Sequence, residues 1–253
     1  MLPAQRRDEI SKHIRKVGAV DTESLAKRFG VSIMTARRDL KILEREKRLK
    51  LTWGGAVPLA FLSHELPYSS KMDHMPEAKE AIAEYASTLI PDNSCILLDA
   101  GTTTFALAKK LLGRTLTVVT TDLNIAMQLL QSRTITVHLA GGQFDNDTRS
   151  CTDMTALSFL DSINVTTAFI GTNVWDISRG ASTSNHTRMH IKRKMMERAE
   201  NTVLLADSSK YGAFSPWAVA QLSEFSTIIT DKGLGDAARN NVQENGGNLH
   251  LAG

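Results

Sequence analysis

The chain has 253 residues and a net charge of +3, and 42% of its residues are hydrophobic, which allows one or two globular domains with a buried core. It has no run of about 18 apolar residues and no apolar stretch near residue 1, so we expect neither a membrane span nor a secretory signal. Cys95 and Cys151 are far apart and not in a metal-ligand spacing, which predicts a cytoplasmic protein without a metal site.

The charge is unevenly distributed along the chain. Residues 1–57 carry 14 Lys and Arg against 7 Asp and Glu, whereas the remaining residues are more acidic than basic. A small basic head on an acidic body predicts a polyanionic partner for the head alone. A solvated basic helix surface is the alternative interpretation.

Three short helices are expected in the basic head. Asp21 or Thr22 can cap the second helix, Gly30 ends it, and Ser32 caps the third after a tight turn. The inward positions predicted for the first two helices are Ile10, Ile14, Val17, Leu25, Ala26 and Phe29. Two short helices that meet across a glycine-containing turn are typical of a helix-turn-helix.

The third helix has one apolar and one cationic face. The positions predicted to face inward are Ile33, Ala36, Leu40 and Leu43, and those predicted to face outward are Met34, Thr35, Arg38 and Lys41, with Arg37 on the flank. Arg can bond guanine, Thr can bond a base edge or pack on a thymine methyl group, and Lys can neutralise phosphate. We therefore predict recognition by Thr35, Arg37 and Arg38, and an ion pair between Asp39 and a neighbouring cation.

Residues 49–57 alternate and then contain Gly54-Gly55, which predicts a small β-hairpin after the third helix. Such a hairpin is a wing that contacts the DNA backbone or minor groove. Lys50 and Trp53 are the candidate contacts, although Trp53 could equally pack against the helices.

Residues 58–76 contain Pro58, Pro67 and Pro76, which predicts an irregular connector between a domain over 1–57 and a domain over 77–253. His64 and His74 in this connector have no further ligand nearby, so we expect them to be solvated rather than bound to a metal.

Short apolar strands alternate with amphipathic helices after the connector. The predicted strands are 95–98, 116–119, 135–139, 168–170, 203–206 and 228–229. This pattern predicts an α/β domain with a mostly parallel sheet covered on both faces, and a ligand site at the carboxyl ends of its strands.

The loop 99–104 (Asp-Ala-Gly-Thr-Thr-Thr) follows the first of these strands. Gly101 lets the backbone approach an anion, the helix N-terminus offers free N–H groups, and Thr102, Thr103 and Thr104 add hydroxyl donors. The loop is neither a P-loop nor a dinucleotide motif, so we expect no nucleotide cofactor. An ordinary threonine-capped helix is the alternative.

Other polar groups follow strands and could converge on this loop. They are Thr121, Asp122 and Asn124, the run Asp207-Ser208-Ser209-Lys210, and Lys192 on a basic helix with His190, Arg193 and Lys194. A charged solvent face is the simpler interpretation for Arg193 and Lys194.

The head resembles that of the DeoR family of transcriptional regulators. The resemblance rests on residues 31–40 (VSIMTARRDL) followed by 53–56 (WGGA). The family often has His or another polar residue at the position of Trp53, so this departure affects the expected wing contact and not the fold. The resemblance implies a winged helix-turn-helix that binds double-stranded operator DNA, with Ser32 and Met34 at the same surface as Thr35, Arg37, Arg38 and Lys41.

The resemblance extends over the second domain. It implies a fold similar to ribose-phosphate isomerases and CoA transferases, and a sensor of phosphorylated sugars or related metabolites. The positions that match the family's ligand residues are Asp99, Gly101, Thr102, Thr103, Asn124, Gly141, Gly142, Lys192, Asp207 and Lys210. The departures are Asp145, Asp153, Val174-Trp175 and the absence of an acidic residue in 186–190, so the part of the pocket that contacts the rest of the ligand is expected to differ.

We therefore predict a DNA-binding regulator, a repressor of a carbohydrate operon that forms homo-oligomers and has no catalytic residues. The main alternative is a sugar-phosphate isomerase or deaminase that uses Asp99, Asp207, Lys210 and His190. A DNA-binding architectural protein without a ligand is a third hypothesis.

Overall fold

The computed structural model describes residues 2–17, 20–46, 48–52, 54–58, 60–62 and 66–253. The chain forms two compact units. The N-terminal unit is Met1–Phe61 with Asp236–Ala238, and the C-terminal unit is Leu62–Gly235 with Arg239–Gly253. No helix in the described ranges combines the length and apolarity needed to cross a lipid bilayer.

The N-terminal unit consists of three helices and a small antiparallel sheet. Its elements are α1 (Pro3–Val17), β1 (Val20–Asp21), α2 (Thr22–Phe29), α3 (Ile33–Arg45), β2 (Leu49–Thr52), β3 (Gly55–Pro58) and β4 (Ala60–Phe61). The strand order is β1-β3-β2, so the expected hairpin is present as β2 and β3. Trp53 and His64 lie outside the described residues.

Local signals position the helices of this unit. The Asp21 carboxylate accepts the Ser24 N–H at 2.7 Å and caps α2, and the Ser32 hydroxyl caps α3. Gly30 ends α2 in the left-handed region, with φ +63°. The buried core is formed by Ile10, Ile14, Leu25, Leu40, Leu43, Leu49 and Ala56.

Two positions predicted to face inward differ from the structure. Ile33, the first residue of α3, is 42% exposed, whereas Ala36, Leu40 and Leu43 further along the same face are buried as predicted. Phe29 is only half-buried and packs at the edge of the core, with its ring edge-on to His13.

The C-terminal unit is an α/β fold. Its helices are α4 (Tyr68–Met72), α5 (Pro76–Thr88), α6 (Thr102–Lys110), α7 (Leu123–Leu129), α8 (Met154–Asp161), α9 (His186–Glu197) and α10 (Asp236–Glu244). Its strands are β5 (Cys95–Leu98), β6 (Leu116–Thr120), β7 (Ile135–Leu139), β8 (Phe144–Asp145), β9 (Ser150–Cys151), β10 (Val165–Gly171), β11 (Val174–Asp176), β12 (Gly180–Thr183), β13 (Ala199–Leu205), β14 (Ala213–Phe214), β15 (Trp217–Ala220), β16 (Thr227–Asp231) and β17 (Leu249–Ala252).

Seven parallel strands form the central sheet, in the order β17-β16-β13-β10-β5-β6-β7. One face packs on α5, α6 and α7, through side chains such as Ile96, Leu98 and Phe169. The alternate strand positions, such as Leu97 and Ala168, are equally buried. The sheet is therefore covered on both faces, which confirms the expectation from the sequence.

The direction of chain growth reverses between β5 and β10. From β5 the chain adds β6 and β7 on one side, and it then returns to place β10 on the other side of β5. In open parallel sheets the crevice at such a reversal, at the carboxyl ends of the strands, is where ligands bind.

The connector is less irregular than predicted. Residues 68–72 form α4, because Pro67 stands immediately before the helix, where a proline does not interrupt its hydrogen bonds. Helix α6 begins at Thr102, inside the loop predicted over 99–104, and β17 was not predicted.

Candidate functional sites

The outer face of α3 is rich in exposed polar side chains. Met34 is 72% exposed, and Ser32, Arg37, Arg38 and Lys41 are also exposed. Thr35 is half-buried, and its hydroxyl lies 2.9 Å from the Ser32 Oγ. The α3 side chains predicted to contact DNA are thus at least partly exposed, and Ser32 in addition caps α3.

A buried ion pair fixes α3 against α1. The Asp39 carboxylate, 1% exposed, accepts a hydrogen bond from the Arg6 Nε at 2.6 Å, and Arg7 approaches it at 3.8 Å. The predicted ion pair of Asp39 therefore forms, but with a cation 33 residues away in sequence and not with a neighbour on α3, and the pair orients the opposite, exposed face of α3.

Strand β3 of the wing packs closely against β1. A Cβ on Gly55 would lie 1.9 Å from the Val20 carbonyl oxygen, so only glycine fits there. Lys50 is half-buried on β2. A groove of about 440 Å³ lies between α3 and the hairpin and is lined in part by Arg37 and Lys41.

At the reversal point of the C-terminal sheet, a buried ion pair joins the loop after β5 to helix α9. Asp99 follows β5 and is 2% exposed, and Lys192 of α9 is 3% exposed. The Asp99 Oδ2 accepts hydrogen bonds from the Lys192 Nζ and from the Gly171 N–H, the latter at 2.9 Å. The Lys192 Nζ also donates to the Gly171 carbonyl oxygen at 2.9 Å.

Beside this pair lies the N-terminus of α6. The first-turn residues Thr102, Thr103 and Thr104 are buried. A narrow cavity of about 20 Å³ at this end of α6 is lined by Lys71, Ala100, Gly101, Thr102, Thr103, Thr104, Gly171, Thr172, Asn173, Lys192 and Lys210. Free N–H groups, hydroxyls and ammonium groups together form an arrangement suited to an anion.

The Asp207–Lys210 loop follows β13 and contributes to the same site. Asp207 is fully buried, and its Oδ2 lies 3.3 Å from the Lys210 Nζ. Burial alone would raise the pKa of Asp207, but the Lys210 charge and the Ser209 hydrogen bond lower it below its ordinary value. The carboxylate is thus charged and holds Lys210 near the cavity.

Not every predicted ligand residue reaches this cavity. Gly101, Thr102, Thr103, Thr104, Lys192 and Lys210 line it. Asp99 and Asp207 contact it through their lysine partners. Gly141, Gly142 and Asn124 are not among its lining residues, and the Asn124 Oδ1 instead accepts a hydrogen bond from Arg149 at 3.4 Å.

Two further buried charged residues lie near the cavity: Asp122, which was expected to converge on this loop, and Arg188, which was not singled out from the sequence. Burial raises the pKa of Asp122 to about 6, although its carboxylate accepts N–H groups of Ile125, Asn124 and Gly101. Arg188 is 4% exposed and donates to the Ala100 carbonyl oxygen at 3.1 Å. Its position one helical turn before Lys192 was the available sequence signal.

The departures from the family pattern have local structural tasks. The Asp145 carboxylate accepts the N–H groups of Asp147 and Thr148, and the Asp153 carboxylate caps α8. Trp175 is fully buried, and its Nε1 donates to the Asp207 carbonyl oxygen at 3.4 Å. Val174 is buried in β11. A wider groove of about 850 Å³ beside Asp145 and Asp153 also contacts His186 and His190.

Two family models match the chain. The DeoR-like helix-turn-helix domain matches residues 6–59, and the DeoR C terminal sensor domain matches residues 74–232. The transcriptional regulator YgbI of Escherichia coli is 38% identical over 239 residues, covering 94% of this chain and 93% of the relative. The repressor GlcR of Bacillus subtilis is 32% identical over 232 residues, covering 92% and 90%.

Among solved structures, a ribose 5-phosphate isomerase of Methanocaldococcus jannaschii covers 54% of each chain, at 19% identity and a TM-score of 0.41. The family matches span both units, and the relatives align over nearly their whole length. The chain belongs to the DeoR family of helix-turn-helix transcriptional regulators.

Proposed function

We propose that this regulator represses a carbohydrate operon and that a phosphorylated sugar or related metabolite alters its binding to operator DNA. The part of this proposal that concerns the ligand rests on the cavity at the sheet reversal, where the N-terminus of α6 lies beside Lys192 and Lys210. Relatives named as repressors, GlcR and an aga operon transcriptional repressor of Escherichia coli, support the direction of regulation.

The DNA half of the proposal assigns α3 to the major groove. Thr35, Arg37 and Arg38 contact base edges, Met34 packs on them, and Ser32 and Lys41 contact the backbone. Lys50 and Trp53 of the wing contact the neighbouring backbone. We propose that the protein acts as a homo-oligomer in the cytoplasm, because paired heads on two half-sites multiply affinity.

In the ligand half, the phosphate binds at Gly101–Thr104 and is neutralised by Lys192 and Lys210. Asp99 and Asp207 hold these two lysines in position. We propose no catalysis at this site. The Asp99 carboxylate is committed to Lys192 and the Gly171 N–H, and His190 is exposed, with its Nε2 3.3 Å from the Nε2 of His186, which supports a binding role over acid–base chemistry.

The test is a gel shift with the DNA upstream of the gene that encodes this protein, in the presence of a scrambled competitor and a panel of sugar phosphates. We expect specific retention that one phosphate alters. Lys210→Ala should keep DNA binding and lose the response to ligand, whereas Arg38→Ala should lose specific DNA binding and still bind the ligand in calorimetry. Turnover of a sugar phosphate by the wild type would contradict the non-catalytic assignment.

A further inference from the structure

The segment before α5 touches the loops around the cavity. We call residues 66–75 the strap. The Tyr68 N–H donates to the Asp147 carbonyl oxygen at 3.1 Å, and the His74 Nε2 lies 3.0 Å from the Ser209 Oγ. Lys71 lines the cavity itself. The strap therefore contacts the loop between β8 and β9, the loop after β13, and the cavity at the start of α6.

A buried lysine fastens the strap to the rest of the unit. Lys79 of α5 is 4% exposed, and its Nζ donates to the carbonyl oxygens of Lys71 and His74. Burial and the nearby Lys210 charge lower the pKa of Lys79 to about 8. The pKa of the Lys79 ammonium group, which holds the strap, therefore also depends on the charge of Lys210 at the cavity.

Tyr68 of the strap and Asn124 of α7 each carry a buried hydrogen-bond donor without a well-placed acceptor among the described residues. Tyr68 is 6% exposed, and its hydroxyl lies near the Asn124 side chain, but neither the hydroxyl nor the Asn124 Nδ2 makes a hydrogen bond of normal geometry there. Both residues are close to Asp122, whose carboxylate accepts the Gly101 N–H at 3.1 Å. Buried polar groups are nearly always paired, so a donor pair of this kind beside an anion site indicates a place for an acceptor oxygen.

The cavity is too small for a sugar phosphate as it stands. Its volume of about 20 Å³ is room for roughly one water molecule. Lys71 forms part of its wall, so a larger ligand has to displace wall residues such as Lys71 of the strap or Lys210. Occupancy of the site is thereby linked to the position of the strap, which follows the DNA-binding unit in the chain.

We propose that the strap is part of the ligand site, with Tyr68 and Asn124 donating hydrogen bonds to a hydroxyl or carbonyl oxygen on the ligand's carbon chain. Lys71 contributes positive charge beside the phosphate. The ligand class is a phosphorylated sugar, polyol or sugar acid, because inorganic phosphate has no carbon chain to offer such an oxygen. This inference rests on the proposed function as a sugar-phosphate sensor.

The experiment is calorimetric titration of full-length wild type, Tyr68→Phe and the control Tyr85→Phe. Tyr85 stacks on His250 and is not among the residues that line the cavity. The probes are inorganic phosphate, glycerol 3-phosphate, ribose 5-phosphate, glucose 6-phosphate and a phosphorylated aldonic acid. We expect Tyr68→Phe to weaken the best carbon-containing ligand roughly tenfold, to leave inorganic phosphate unchanged, and to keep the unliganded melting temperature.

The outcomes separate a failure of this inference about the strap from a failure of the proposed sensing function. Equal affinity of Tyr68→Phe and wild type for every probe, or an equal loss for inorganic phosphate, overturns the role of Tyr68. A wild type that binds no probe overturns the sensing function itself and this inference with it. Hydrogen exchange gives a second measurement: ligand should protect peptide 66–75 in the wild type and less in Tyr68→Phe, and unchanged exchange in the wild type overturns the link to the strap.

Discussion

The N-terminal unit, which we call the DNA-binding unit, and the C-terminal unit, which we call the sensor unit, differ in how exposed their functional polar groups are. In the first, Arg37, Arg38 and Lys41 are exposed on one helix, and the buried pair of Arg6 and Asp39 only supports that helix. In the second, Lys192 and Asp99 are buried in the site itself. An exposed helix surface suits a large, rigid partner such as a DNA groove, whereas a buried site suits a small ligand.

The largest effect should come from breaking the supporting pair. Asp39→Asn leaves Arg6 buried beside a neutral side chain, and we expect a loss of about 3–5 kcal/mol in the free energy of unfolding. Urea denaturation measures it. DNA binding should fail while the isolated sensor function, measured by ligand titration, persists.

The control for that variant is Glu9→Gln. Glu9 pairs with Lys12 at 2.9 Å on the exposed surface, where such a pair contributes less than about 1 kcal/mol. If Asp39→Asn were no more destabilised than this control, the support assigned to the buried pair would be wrong.

A second test concerns burial on the sensor side. The pKa of Lys79 is lowered to about 8 from an ordinary 10.5. At a pH between these two values, Lys79 carries a proton in the unfolded chain and has released it in the folded chain. The free energy of unfolding should therefore rise with pH in this window, by on the order of 2 kcal/mol for wild type relative to Lys79→Met.

Urea titrations at pH 7.5, 9 and 10.5 measure this difference, and Lys41→Met, which changes an exposed lysine, is the matched control. A gap between wild type and Lys79→Met that stays constant with pH would show that Lys79 is not desolvated.

The third test concerns the exposed surface of α3. Arg38→Ala should cost about 1–3 kcal/mol of specific DNA binding and relax the base preference at one position. Arg133→Ala, at an exposed cation of the sensor unit, should leave both unchanged. Selection of binding sites from random DNA measures the preference, and an identical consensus for Arg38→Ala would remove Arg38 from base contact.

The smallest effect concerns Asp153, which caps α8 through the N–H groups of Thr155 and Ala156. Asp153→Ala should lower the free energy of unfolding by about 1 kcal/mol and leave ligand affinity unchanged. Asp147→Ala, on the neighbouring hairpin, is the control. A changed ligand preference in Asp153→Ala would instead assign this residue to the ligand.

The contrast between the units also explains what the sequence could predict. On α3 all the relevant residues lie within ten positions, so helical periodicity alone separates Arg38 and Lys41 from Leu40 and Leu43. Ile33 was placed wrongly because periodicity does not show where a helix leaves its core.

In the sensor unit, the strands β5, β6 and β7 were recognised from apolar runs, and the loop after β5 from its position. The strap was missed, since α4 has only five residues and follows a proline. Tyr68, Lys79 and Arg188 come from three separate elements, and no local pattern shows that the fold brings them to one place.

The reversal between β5 and β10 has a consequence for how such a sensor can change. In the site we propose, the loop after β5 and two lysines hold the phosphate, whereas Tyr68 of the strap and Asn124 of α7 contact the carbon chain. These segments are separate in sequence and are not strands of the central sheet. In a protein built in this way, amino-acid substitutions in the segments that contact the carbon chain can change which metabolite is bound. The residues that bind the shared phosphate and the central sheet stay unchanged.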